Sequence, residues 1–309
     1  MLDALFLKDI GFNKEDIPYI LTCNAKYEAG LARLAAAYQA TFGGSELAAY
    51  RGDEREEAYT RAKAYVQAAV DLFPEEENPH ILNLLAWLQL IPYLRQRYAA
   101  HGFGEEILYA SLSDLPEKVK ECKSVYDVCG VFSRWFFLFF DLKVFSLGRL
   151  YYEIAAFDAD SFCTDALQLQ RGDTVLSCHI PAKGRLSEED ILSSLRQAYT
   201  FFGHLFPGHI LPVVCHSWLL WPPYDRQVFP ENGNLHRFVQ NFRIISTTAT
   251  GQTFPDCWRV FGKMYGGHTD GFPSDTTLRR NFLTYLNHAG EHGSGYGILL
   301  YDGKNNRIL

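Results

Sequence analysis

The chain has 309 residues, 48% hydrophobic and 15% aromatic, enough apolar mass for one or two buried cores. Lys and Arg number 29 against 36 Asp and Glu, a net charge of -7 with no basic block, so nucleic acid is not expected as a partner. The 7 cysteines show no Cys-x-x-Cys spacing, and the start MLDALFLKDIGF reads as lacking a leader, which together fit a reducing cytoplasm.

Up to about residue 140 the apolar spacing is helical. Ile17, Ile20, Leu21, Leu31, Leu34, Ala35 and Tyr38 share one face of a helix that Gly43 and Gly44 are expected to stop. Ala58, Ala62, Tyr65, Val66 and Ala69 mark a second helix ending before Pro74. Pro79 opens a third segment, which carries Leu82, Leu85, Ala86 and Leu90 and is punctuated by Pro92. WFFLFF, residues 135–140, is apolar all round and predicts a helix buried between two layers. It is far shorter than the roughly 20 residues that cross a bilayer, so no membrane role is expected. No fixed-period repeat is evident, which disfavours a solenoid.

After Phe145 the pattern changes to β-formers. FSLGRLYYEIAAF (145–157) reads as strand, and ALQLQRGDTVLSCHI (166–180) as two strands turning at Gly172. LPVVCHSWLL (211–220), FRIISTTA (242–249), CWRVFGK (257–263) and GYGILLYDG (295–303) predict further strands. Helices are expected at 187–205, where Ser187 and Asp190 stand in the relation of a capping box, from Asn234, and over 275–288 with a stop at Gly290. Strand 174–180, helix 187–205 and strand 212–220 make one crossover unit of the length a parallel pairing requires.

That unit carries two Cys-His pairs, Cys178-His179 and Cys215-His216. Adjacent residues on a strand point to opposite faces, so neither pair can close on one metal ion without distortion. His288 and His292 have a ligand spacing, but Gly290 and Gly293 break the helix and no third ligand is near, so no metal is expected. Cys215 is a candidate nucleophile if His179 faces it across the ladder; otherwise both cysteines are small core residues. His179 stands at the carboxyl end of its strand, where open α/β sheets bind ligands, and is a candidate general base. In the loop PAKGRLS (181–187), Lys183, Gly184, Arg185 and the amides of a helix that starts at Ser187 could hold a phosphate. Glu188, Glu189 and Asp190 in the first turn suit the helix dipole but oppose an anion. GEHGSGYG (290–297) precedes a strand, so it is not a dinucleotide or P-loop fingerprint.

Several stretches resemble a known family: FSLGRLYYE (145–153), VLSCHIPAKGRLS (175–187), AYTFFGHLFP (198–207), CHSWLLWPP (215–223), NLHRFVQNFRI (234–244) and, in the helical half, HGFGEEILYASLSDLPEKV (101–119). With the element order after residue 145, they are similar to two-domain bacterial GNAT-like acyltransferases. The resemblance implies an α+β chain: an all-helical N-terminal domain, 1–140, followed by a GNAT-like mixed-sheet α/β domain, 141–309. It implies acyl-CoA or acetyl-CoA as co-substrate between strands 174–180 and 212–220, beside Ile180, with its pyrophosphate at Lys183, Gly184, Arg185 and Ser187. The acyl acceptor would be the amine or hydroxyl of a small molecule. His179 would act as base and Ser217 would protonate the leaving thiolate. The family-wide phosphate-loop signature, [QR]-x-x-G-x-[GA], is replaced here by HIPAKGRLS. That departure keeps a second reading open, a catalytically inactive module that binds a ligand or a protein. The oligomeric state is not fixed by the sequence.

Overall fold

The computed structural model describes residues 2–42, 47–288 and 290–309. They form two compact units, Met1–Ser146 and Leu147–Leu309.

The first unit is helical: α1 (Ala4–Asp9), α2 (Ile17–Gln39), α3 (Glu54–Leu72), α4 (Pro79–Gln89), α5 (Ile91–Ala100), α6 (Glu105–Leu112), α7 (Asp114–Tyr126) and α8 (Phe137–Phe140). The apolar stripes are what bury it: Ile20 and Leu31 of α2, Ala62 and Ala69 of α3, and Leu82, Leu85 and Trp87 of α4 are all shut off from solvent. Tyr38 of α2 stacks on Tyr65 of α3 with ring centroids 4.3 Å apart, and the Tyr65 hydroxyl donates to the Ala86 carbonyl at 2.7 Å. The 79–100 segment divides at Leu90 because Pro92 has no N–H to give; it is tolerated in the first turn of a new helix. The stop at Gly43 and Gly44 falls outside the described residues. Of WFFLFF only Phe137–Phe140 is helical, and all four of these residues are buried.

In the second unit the sequence order is β1 (Val144–Leu147, which reaches back across the boundary), β2 (Leu150–Ala156), β3 (Ser161–Cys163), β4 (Gln168–Gln170), β5 (Thr174–His179), α9 (Glu188–Phe202) and β6 (Ile210–Ser217). There follow α10 (Pro222–Gln227), α11 (Asn234–Gln240), β7 (Arg243–Gly251), α12 (Cys257–Phe261), α13 (Thr277–Asn287), β8 (His292–Asp302) and β9 (Arg307–Ile308). Gly148 (φ +76°) and Gly172 (φ +94°) make the turns after β1 and after β4, in a backbone region open to glycine at no steric cost. The central sheet runs β2-β5-β6-β8-β7, with β9 on β8. Only β5 and β6 are parallel, joined through α9 as the spacing predicts; their neighbours pair antiparallel.

Two expectations change. CWRVFGK forms no strand: Cys257, Val260 and Phe261 are buried at helical spacing in α12, and Gly262 ends the turn in the left-handed region. The strands either side of Gly172 do not pair with each other, because β4 pairs with β3 in a small separate hairpin.

One face of the central sheet takes α9. Ser194 of that helix donates to the Leu147 carbonyl, accepts from the Leu150 amide and lies 3.0 Å from the Tyr152 hydroxyl, while Ile191, Leu195, Ala198 and Phe202 are buried beside it. The other face is covered near the start of β5 by the β3–β4 hairpin, in a cluster of Phe157, Leu169, Val175, Val214, Ile298 and Leu300.

The glycine-rich stretch lies within β8. A Cβ at Gly295 would sit 2.3 Å from the Leu220 carbonyl oxygen, and one at Gly293 2.5 Å from that of Thr248. Alternate glycines therefore let the turn Trp218–Leu220 rest on the strand backbone. Gly295→Ala should destabilise the protein by about 1–3 kcal/mol through overpacking against main chain. Chemical denaturation measures this, and an unchanged midpoint would contradict the close approach.

Candidate functional site

The parallel ladder between β5 and β6 has two rungs, Leu176–Val213 and Ser177–Val214. Towards the strand starts, Pro212 brings no N–H to continue it. Towards the carboxyl ends the two strands part: β5 goes on pairing with β2 as far as His179, and β6 with β8 as far as Ser217, but not with each other. A gap thus opens at the carboxyl end of the parallel pair, the end at which α/β sheets bind ligands.

Alternation assigns the side chains around this gap. Val175 and Val214 belong to the hairpin-side cluster, so Ser177, His179 and His216 face the same way. Cys178 lies opposite Tyr152, which touches α9, so Cys178, Cys215 and Ser217 face the helix. The structure therefore does not bring His179 and Cys215 together. Cys215 is 1% exposed and its thiol meets that of Cys178. That contact first, and burial second, push the Cys178 thiol well above its ordinary pKa, the condition of an unreactive thiol.

His179 is held by a carboxylate. Its Nε2 donates to Glu153 Oε2 at 2.9 Å; the Glu153 side chain is 2% exposed and that of His179 29%. Glu153 pairs with Ser177 across β2 and β5, so it reaches His179 diagonally along one face. The Glu153 carboxylate fixes the orientation of the imidazole, the support a general base uses.

Opposite, His216 lies on β6 two residues beyond Val214, as His179 lies on β5 two beyond Ser177. His216 Nε2 is 3.0 Å from Ser294 Oγ on β8. Ser217, on the helix side, caps the turn after β6 by accepting from the Leu219 amide.

The loop from β5 to α9 is braced by Arg149. Its Nε donates to the Arg185 carbonyl at 2.9 Å, Nη1 to Pro181 at 3.1 Å and Nη2 to Gly184 at 3.3 Å. Three carbonyls tied to one guanidinium hold the loop in a fixed curve. Gly184 takes φ +67° within it, and Lys183 Nζ lies 5.4 Å from the centre of the Tyr151 ring. Ile180 leads into the loop from β5, and Ser187 ends it as the α9 N-cap, accepting from the Asp190 amide. Among the described residues no three His, Cys, Asp or Glu side chains gather as metal ligands, and no helix is long and apolar enough to cross a membrane.

Glu153, Arg149 and Ser294 were not singled out by the motifs, and His216 was weighed only as a metal ligand beside Cys215. Glu153 had a signal, a carboxylate inside the buried strand LYYEIAA; Arg149, which acts through backbone carbonyls far along the chain, had none.

A mixed sheet whose one parallel pair parts at its carboxyl ends, followed by a helix on one face, is the frame of a GNAT-like domain. Residues 144–299 match the family model described as GNAT-like C-terminal domain, and residues 4–142 match the N-acyltransferase N-terminal domain; the chain belongs to this family of two-domain N-acyltransferase-like proteins. Solved structures share the fold. An acyltransferase in complex with decanoyl-CoA is 22% identical with a TM-score of 0.68, and an acyltransferase mutant in complex with octanoyl-CoA is 19% identical with a TM-score of 0.67; each similarity covers 94% of this chain and 85% of the other. An acyltransferase in complex with decanoyl-CoA and teicoplanin is 17% identical with a TM-score of 0.61, covering 95% of this chain and 98% of the other. No curated protein sequence matches the chain.

Proposed function

We propose that this protein transfers an acyl group from acyl-CoA to an amine or hydroxyl of a small molecule. The observation that carries the reading is the opening between β5 and β6 beyond the rung Ser177–Val214, with His179 and Glu153 at its edge. A thioester arm in that opening replaces the missing rungs with its own amide groups, and the main chain there polarises the thioester carbonyl. His179 removes the proton of the attacking amine or hydroxyl, and Glu153 holds the ring for it. The pyrophosphate rests on the Arg149-braced loop at Ile180, Lys183, Gly184, Arg185 and Ser187. Ser217 lies on the helix side of the opening, and Cys215 is buried on that side against Cys178. The solved neighbours' octanoyl and decanoyl thioesters favour a medium-chain donor, and the neighbour bound to teicoplanin favours a soluble polar acceptor.

The chemistry is assigned to the domain 141–309, with 1–140 as the helical domain ahead of it. A reducing bacterial cytoplasm accords with 7 cysteines that are all free.

Calorimetric titration with CoA, octanoyl-CoA and decanoyl-CoA tests the reading. Micromolar binding is expected, and Arg149→Ala should weaken it about tenfold, roughly 1.4 kcal/mol, by releasing the loop. No binding at any chain length would overturn the proposal.

A further inference from the structure

The acyltransferase reading assigns a base on one side of the opening, and this inference rests on that reading. We infer that His216 is the general acid that protonates the leaving thiolate. Ser217, the sequence-based candidate, faces α9, on the side of the sheet away from His179. His216 faces the His179 side, at the matching position across the opening, two residues past the last rung. The two imidazoles are held differently. His179 Nε2 is hydrogen-bonded to a buried carboxylate, whereas His216 Nε2 meets a neutral hydroxyl, Ser294 Oγ. One ring is thereby set up to receive a proton and the other to deliver one, on opposite sides of a thioester lying between them.

The step balances as follows. The nucleophile's lone pair forms a bond to the thioester carbon while its proton passes to His179. The C–S bond then breaks with its electron pair on sulfur, and the imidazolium of His216 gives that sulfur a proton through Nδ1, with Nε2–H retained on Ser294. The products are the acylated acceptor and the free thiol. His179 loses its extra proton to solvent, and His216 regains one from it.

A general acid matters only when the leaving group needs a proton, so the leaving group supplies the test. Thiol release is followed for decanoyl-CoA and for the decanoyl thioester of 4-nitrothiophenol, whose thiolate departs unaided. Acceptors are an amino sugar, an amino alcohol and teicoplanin, and whichever supports wild-type turnover is used. His216→Gln should lower kcat/KM at least about 100-fold with decanoyl-CoA, yet less than about fivefold with the aryl thioester. Ser294→Ala should show the same selectivity with a smaller loss. Equal losses with both donors, or no loss with decanoyl-CoA, would overturn the assignment of His216 while leaving the acyltransferase reading in place. Absence of wild-type turnover with every acceptor would instead overturn that reading, and this inference with it.

Discussion

Replacing His179 by alanine should lower kcat about 10²- to 10⁴-fold while leaving acyl-CoA affinity within about twofold. The split follows from where the ring stands. His179 is at the edge of the strand opening, in contact with Glu153, whereas the loop assigned to the pyrophosphate is held by Arg149 and begins only beyond it. Glu153→Gln tests the support behind the ring. The amide oxygen still accepts from Nε2 but without charge, so kcat should fall about tenfold, and Glu153→Ala should fall further because the ring loses its anchor. Steady-state kinetics beside calorimetry separates the two quantities. Unchanged kcat in His179→Ala would remove this residue from the chemistry, and an equal loss of binding would make its role structural.

The largest expected effect on stability lies in the helical unit. Trp87 is shut off from solvent, stacks on Phe140 with centroids 5.5 Å apart and meets Tyr38 and Tyr65 edge to face. Trp87→Ala removes the shared partner of three aromatic rings, and α4 is buried nearly all round, so the void has little way to collapse. A loss of about 3–5 kcal/mol is expected, read as a displaced unfolding transition in urea. Trp87→Phe should recover part of it. A midpoint unchanged by the alanine substitution would mean that the cluster does not hold the unit together.

How much of this was visible in the sequence depends on the kind of interaction. The helices α2, α3, α4 and α9 were legible because their burial follows from local spacing, and the β5-α9-β6 crossover because its length leaves few topologies. The family resemblance in stretches such as VLSCHIPAKGRLS supplied the frame, and with it the expectation of an opening between the two parallel strands. Residue roles were harder. His179 is singled out by its position at a strand end, but its hydrogen-bond partner Glu153 sits 26 residues away on an antiparallel neighbour, and only the register Glu153–Ser177 brings it there. Facing was illegible for the same reason: the relation between His179 and Cys215 turns on a rung, Ser177–Val214, that no local pattern encodes. α12 was misread as a strand because its five residues, CWRVF, are too few to separate the two periods.

The two-rung ladder has a mechanical consequence. It leaves the sheet as two panels, β2–β5 and β6–β8–β7, joined along a seam that main-chain bonding barely closes. On the helix side the Cys178 and Cys215 thiols meet across this seam. A donor lodged in the seam would act as a temporary extra strand, so the empty and loaded forms should differ in stiffness along this line.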